Sequence, residues 1–265
     1  MRNDAPIWID SHAHLSMFDR DEMADVLERA AARRVLGVLV PATGRDDLDE
    51  TLRVAADNPG EVVAAAGVHP HEASSLDAGL QRRIEASLGR TGVVAVGEIG
   101  LDYHYMNSPR EDQLRAFEWQ LDLACESDLP VVLHNRESWS DLEARLSARQ
   151  GRLRGVCHSF AEGPDEARRV VELGFMVGIS GMVTFKAADN IRGMVAALGP
   201  QQVLVETDSP FLAPVPHRGA RNEPSYVPLI GRKLAEVWGV AAEVVAAESA
   251  AGFRTLFGLD DDWPG

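Results

Sequence analysis

The chain has 265 residues, 45% of them hydrophobic and 25% charged, a balance that fits a folded globular protein and excludes a disordered one. That length suits either two average domains or one α/β barrel. A formal net charge of −15 argues against a broad basic surface for wrapping nucleic acid; bound divalent cations can reverse the field locally, so a phosphate substrate stays open.

No run approaches the roughly 18 apolar residues a membrane helix needs. The opening "MRNDAPIWID" has no apolar stretch of the kind a secretory leader carries. With only Cys125 and Cys157 there is no disulfide framework, so the reducing cytoplasm is the expected compartment. A monomer is the expected state.

Eight short apolar runs rich in Val, Ile and Leu follow one another: 7–14, 35–43, 62–71, 93–102, 130–135, 154–160, 175–181 and 202–211. Such continuous runs fit strands buried on both faces, as in a parallel sheet. Helical spacing marks the segments between them: Met23, Val26, Leu27 and Ala30; Leu114, Phe117, Leu121 and Ala124; Leu142 and Leu146; Ala167, Val170 and Val171. Run starts recur every 21 to 37 residues, about one βα unit each, so the expectation is a single-domain (β/α)8 TIM barrel over residues 1–265. An open doubly wound nucleotide fold would place a glycine fingerprint after the first strand. "SHAHLSMFD" stands there without a glycine, and "GEIGLD" at 97–102 lacks the required spacing.

The chain has eight histidines, and five of them fall at or just past the end of a run: His12, His14, His69, His134 and His158. Glu98 and Asp208 do the same on the fourth and eighth runs. In a parallel barrel those ends share one mouth, where such folds carry their active sites. His12 and His14, like Glu206 and Asp208, are two residues apart and share a strand face. Singly, each residue has a bland alternative: a hydrogen-bonded histidine, a helix cap at Glu98, a turn residue at Asp208 before Pro210. Jointly, the bland alternatives require seven coincidences at one end of one barrel. Imidazole mixed with carboxylate suits zinc, manganese or iron rather than calcium. Cys157 neighbours His158 but points to the opposite face, which marks it as packing.

These residues sit in seven ordered motifs: "DSHAHL" (10–15), "GVHPH" (67–71), "GEIGLDY" (97–103), "VVLHNRES" (131–138), "HSF" (158–160), "ETDSPFLAP" (206–214) and "HRGARNEPSYV" (217–227). The set resembles the TatD family of metal-dependent hydrolases, within the amidohydrolase-like barrels, over essentially the whole chain. The resemblance implies a TIM barrel with a centre of two divalent metals (Zn, Mn, Mg, Fe or Ni). His12, His14 and Asp208 would hold one ion and His134 and His158 the other, with Glu98 between them. Two departures are visible. Ser159 stands where the family often has cysteine, and Ala220 replaces a common lysine, removing one cation from a loop expected to contact phosphate. No lysine on the fourth run could be carbamylated, so Glu98 takes the bridging role.

The resemblance points to a deoxyribonuclease that cleaves phosphodiester bonds of DNA through local phosphate contacts. Two cations roughly 3.5–4 Å apart would lower the pKa of a water and neutralise phosphate oxygens. Asp208 is the expected base and ligand, and His69 the expected contact to the scissile phosphate. Arg136, Arg218 and Arg221 would assist, because the guanidinium fork matches phosphate oxygens. Glu206 would brace a ligand or a phosphate-binding side chain from behind, or else be a buried acid paired with Arg221. The rival reading keeps the same centre but hydrolyses an ester or amide, in a small molecule or in misacylated tRNA. A non-enzymatic binding module would require a missing ligand, and none is missing.

Overall fold

The computed structural model describes residues 6–265; residues 1–5, part of the stretch read for a leader, lie outside it. Eight parallel strands form one sheet in sequence order: β1 (Trp8–Asp10), β2 (Val35–Pro41), β3 (Val62–Ala66), β4 (Val93–Asp102), β5 (Val131–Arg136), β6 (Gly155–Cys157), β7 (Phe175–Ile179) and β8 (Val203–Val205). The sheet closes on itself at the mouth. Ser11 N donates to Val205 O at 3.1 Å, Asp208 N to His12 O at 2.9 Å, and His14 N to Ser209 O at 2.7 Å. This is the (β/α)8 TIM barrel expected from the eight apolar runs.

Helices follow the strands: α1 (Arg20–Ala32), α2 (Leu48–Asp57), α3 (Ala78–Ser87), α4 (Arg110–Ser127), α5 (Trp139–Ser147), α6 (Pro164–Glu172), α7 (Asp189–Ala196), α8 (Val227–Trp238) and α9 (Ala242–Phe257). None of the described helices is long and apolar enough to cross a membrane. Local chemistry sets their starts. Asp77 caps α3 by accepting from Leu80 N at 2.8 Å, and Pro164 opens α6, where its missing N–H has no intrahelical partner to lose.

Four apolar clusters share the strands' side chains, and two of them show how the faces divide. Ile9, Leu39, Ala65, Ala95, Val132, Val156 and Leu204, with Met176 against them, draw on all eight strands and so fill the barrel interior. The opposite faces pack against the helices in the largest cluster, where Val96, Val131, Leu133, Cys157, Val177 and Val205 meet Phe117, Leu121, Leu142 and Val170. Phe117 is fully buried there; truncation to Ala would cost about 3–5 kcal/mol. The placement of Cys157 agrees with its reading as a packing residue.

Helix α4 also holds the mouth in shape. Gln113 and Gln120, seven residues apart on one helix face, are both buried. Gln120 accepts from Val68 N at 2.7 Å and donates to Val68 O at 3.1 Å, just before His69. Gln113 does the same for the backbone of Asp102, at 2.8 and 2.9 Å. Gly100, at φ 145°, lets β4 lie against β5: a Cβ there would sit 2.0 Å from His134 O.

Candidate metal centre

The strands of β1, β6 and β8 are only three residues long, so His12, His14, His158 and Asp208 ride on the segments just beyond them. Those segments are pinned. Asp10, buried beneath them, accepts from Thr207 N at 2.9 Å and Thr207 Oγ1 at 2.5 Å. Asp208 and Ser159 both adopt left-handed backbone, at φ 58° and 45°. For non-glycine residues that costs of order 1–2 kcal/mol each, and the surrounding hydrogen bonds must hold it.

Glu98 lies at the middle of the cluster, 1% exposed. Its Oε2 is 3.3 Å from His12 Nε2 and 3.7 Å from His14 Nε2. Asp208 Oδ1 completes that side, 3.8 Å from His12 Nε2 and 3.4 Å from His14 Nε2. The other oxygen, Oε1, faces His134 Nδ1 at 3.0 Å, His158 Nε2 at 3.1 Å and His69 Nε2 at 3.5 Å. Burial alone would push the Glu98 carboxyl up, but the His158, His69 and His12 imidazoles outweigh it and hold it well below the usual range. Burial likewise opposes a charge on His158, yet Glu98 and Glu206 hold that imidazole well above its ordinary value.

The donor set fits a divalent cation. Tetrahedral bonds of ~2.0–2.1 Å place neighbouring ligand atoms about 3.3 Å apart. Here His12 Nε2 and His14 Nε2 are 3.2 Å apart, and Glu98 Oε2 beside them is a buried carboxylate oxygen with no hydrogen-bond donor. Three groups offer ligand spacing: His12 with His14 and Asp208, His12 with His158 and Glu206, and, sharing no member with these, His69 with Glu98 and His134.

Two imidazoles stand between Glu98 in front and a second carboxylate behind. His158 Nδ1 is 3.3 Å from Glu206 Oε1, and His134 Nε2 is 3.2 Å from Asp102 Oδ2. Asp102 takes the ring N–H of His134 and so turns its lone pair forward, as histidines that ligate metals require; Glu206 lies off the hydrogen-bond line of His158 Nδ1 and acts on that ring by its charge. His69 is arranged the other way. Its Nδ1 accepts from His71 N at 3.1 Å, so the neutral ring carries its proton on Nε2 and presents a donor to the centre.

Asp102 and His71 were not singled out from the sequence. Asp102 is fully buried and takes His71 Nε2 at 2.9 Å as well as His134. Lying four residues after Glu98 on one strand, it shares that face, and this periodicity is the signal that was available. Glu206 is buried as expected, but its partners are His158, Ser11 Oγ at 3.3 Å and Ser159 N at 2.5 Å. The alternative pairing with Arg221 is therefore corrected: Arg221 bonds Glu22 at 2.8 Å and lies over the Phe18 ring at 4.0 Å.

A cleft of about 500 Å³ opens over the cluster, lined by His14, His69, Glu98, His134, His158 and Asp208 among others. Arg136 lines it, with its guanidinium carbon 4.6 Å above the Tyr105 ring. Arg218 and Arg221 do not line it; Arg218 is drawn over Phe185 at 4.0 Å, and Arg221 to Glu22.

A closed βα barrel with buried imidazoles and carboxylates converging at its carboxyl mouth fits a metal-dependent hydrolase. The family model described as "TatD related DNase" matches residues 9–258, and the chain belongs to the TatD family of metal-dependent hydrolases. Among similar proteins, "Uncharacterized metal-dependent hydrolase YcfH" of Escherichia coli (strain K12) is 36% identical over 260 residues, covering 95% of this chain and 96% of that protein. "3'-5' ssDNA/RNA exonuclease TatD" of Klebsiella pneumoniae (strain 342) is 35% identical over 251 residues, covering 92% and 95%. The crystal structure of YJJV, a TatD homologue from Escherichia coli k12, superposes with a TM-score of 0.89 at 31% identity, covering 96% of this chain and 98% of that one.

Proposed function

We propose that the protein is a deoxyribonuclease that hydrolyses phosphodiester bonds of DNA at a centre of two divalent metals. The observation that carries this reading is Glu98, whose two oxygens face separate sets of imidazoles: Oε2 toward His12 and His14, Oε1 toward His134 and His158. His12, His14 and Asp208 would hold one ion, His134 and His158 the other, and Glu98 would bridge them.

When bound, such cations lower the pKa of a water and neutralise phosphate oxygens. Asp208 takes the water's proton. Its side chain is 13% exposed against 2% for Glu98, so of the two it is the carboxylate that solvent reaches. His69, with its Nε2–H turned to the centre, donates to a non-bridging phosphate oxygen. Arg136 places a guanidinium at the rim for a neighbouring phosphate. Asp102 keeps His134 in the tautomer that faces Glu98, and Glu206 sets a negative charge behind His158.

The test is an assay of metal-reconstituted protein against single-stranded DNA, abasic DNA, acyl-tRNA and small esters, with metal analysis alongside. Cleavage of DNA above the others, with close to two ions per chain that fall in Glu98→Ala, is expected. Preferred hydrolysis of acyl-tRNA or esters, or a single ion unaffected by Glu98→Ala, would overturn it.

A further inference from the structure

Exposed apolar side chains scattered singly are ordinary, but gathered at one place they mark an interaction site, and their placement here is uneven. Seven are exposed among the described residues, and five of them, Met17, Tyr105, Met106, Phe211 and Val215, follow β1, β4 or β8 at the mouth. Tyr105 is 55% and Phe211 50% exposed, and both line the cleft.

The two rings stand at opposite ends of a row of imidazoles. Phe211 lies edge-on to His14 at 6.1 Å; His14 meets His12 at 4.9 Å, His12 stacks on His158 at 3.8 Å, and His158 lies 5.6 Å from His134. Beyond His134 come His71 at 6.2 Å and then Tyr105 at 5.5 Å from His71. The Glu98 centre therefore falls between one aromatic ring and the other.

Neither ring sits on a loose loop. Buried Asn222 donates to Phe211 O at 2.5 Å and to Thr207 O at 2.8 Å, and Phe211 N donates to Asp208 O at 2.9 Å. Tyr105 N donates to the buried Asp102 carboxylate at 2.9 Å, and Arg136 covers one face of its ring. Each platform is thus tied to a residue that also shapes the metal centre. The backbone that carries each ring is held before any substrate arrives, which lowers the ordering entropy of binding.

We infer that Tyr105 and Phe211 are base-stacking platforms on the two sides of the centre, together gripping unpaired nucleobases so that the phosphodiester between them lies over Glu98. Every base has a π-face, so this grip is tolerant of sequence, but it requires bases free of a duplex. The inference rests on the nucleic-acid reading above and adds to it the two side chains that hold the bases.

The experiment uses the Mn(II)-loaded protein and a short single-stranded oligodeoxynucleotide carrying 2-aminopurine, beside an abasic strand of equal length. Phe211→Leu and Tyr105→Leu keep apolar bulk and remove the ring; Phe211→Trp and Tyr105→Phe keep a ring. Each Leu variant should raise KM for the base-bearing strand roughly tenfold, the worth of one base–aromatic stack. It should lower the ratio of kcat/KM on the base-bearing strand to that on the abasic strand by a similar factor, and lose the 2-aminopurine quenching. The ring-keeping variants should restore all three, at unchanged melting temperature. Leu variants that retain the wild-type ratio and quenching, or that lose both strands equally, would overturn the stacking role while DNA hydrolysis itself stood. A wild-type protein that cleaves no oligonucleotide would overturn both readings.

Discussion

Glu206→Gln isolates what a carboxylate behind a ligand does. Gln keeps the size of the side chain and an acceptor oxygen for Ser159 N, 2.5 Å away, but removes the charge behind His158. Loss of such a partner ordinarily weakens metal affinity or activity about 10- to 100-fold, or about 1.4–2.7 kcal/mol. The structure places this case at the lower end, about tenfold, because His158 Nδ1 is 3.3 Å from Glu206 Oε1 and off the hydrogen-bond line. Glu206→Ala differs in kind. It strips the acceptor from both Ser159 N and Ser11 Oγ in a buried site, a loss of about 2–4 kcal/mol together. Equilibrium dialysis of chelator-stripped protein against Mn(II) reads affinity without any substrate, and thermal melts read stability. We expect Gln to weaken the second ion about tenfold with near-wild-type melting, and Ala to lower both. Wild-type Mn(II) affinity in Glu206→Gln would show that Glu206 is a structural acid only.

Asp208→Ala should cut kcat and kcat/KM alike by about 10²-fold or more, since a positioned base acts chiefly in the transition state. His69→Ala should raise KM with metal content unchanged; loss of metal in this variant would make His69 a ligand and refute its role as donor. Chelator-stripped protein should hold a fluorescent single strand far more weakly than the Mn(II)-loaded form, and equal binding in an anisotropy titration would refute a field set by cations. Away from the site, Arg53 at 2.5 Å and Arg20 at 2.6 Å depress the Glu50 carboxyl to about 2. A depressed carboxyl stabilises the fold above its ordinary value of 4.5, and that stability is lost as pH falls toward 2. Discounted for solvent screening, Glu50→Gln should cost about 0.5–1 kcal/mol at neutral pH, with the difference from wild type closing over that acid window in denaturant melts.

Much of this molecule is legible before any fold is built, and the reasons are physical. Strands buried on both faces must be apolar throughout, so all eight runs appear in the barrel. What the runs overstate is strand length. In β1, β6 and β8 the ladder stops after three residues, because the polar residues at the run ends turn to meet one another across the mouth. The members of the cluster were legible for the same reason: a histidine or acid at the end of an apolar run has nowhere else to point. Asp102 escaped notice because it reads as the close of a strand. Only the approach of β5, which brings Arg136 opposite Asp102 and His134 opposite Gly100, shows its partner. Arg218 and Arg221 failed differently. Their positions depend on Phe185, Phe18 and Glu22, distant in sequence, and a guanidinium stacks on whichever ring and acid the fold supplies.

The charge balance of the cleft explains how so acidic a chain could act on a polyanion. Glu72, Glu98, Asp102 and Asp208 line it against Arg136, which has no carboxylate partner among the described residues. Left to its side chains alone, such a cleft has its carboxylates offset only by the imidazoles they hold protonated, such as His158. Imidazoles that ligate cations give up those protons and contribute neutral lone pairs, so the sign of the field is then decided by the cations they hold. On the proposed reading, two divalent ions set against the bridging Glu98 and Asp208 leave a surplus of positive charge confined to the depth of the cleft. That field reaches one or two phosphates and fades within a Debye length of ~8–10 Å, while the net charge of −15 repels the rest of a long duplex. An arrangement of this kind favours a strand that can be fed in locally by its unpaired bases, which is where Tyr105 and Phe211 stand.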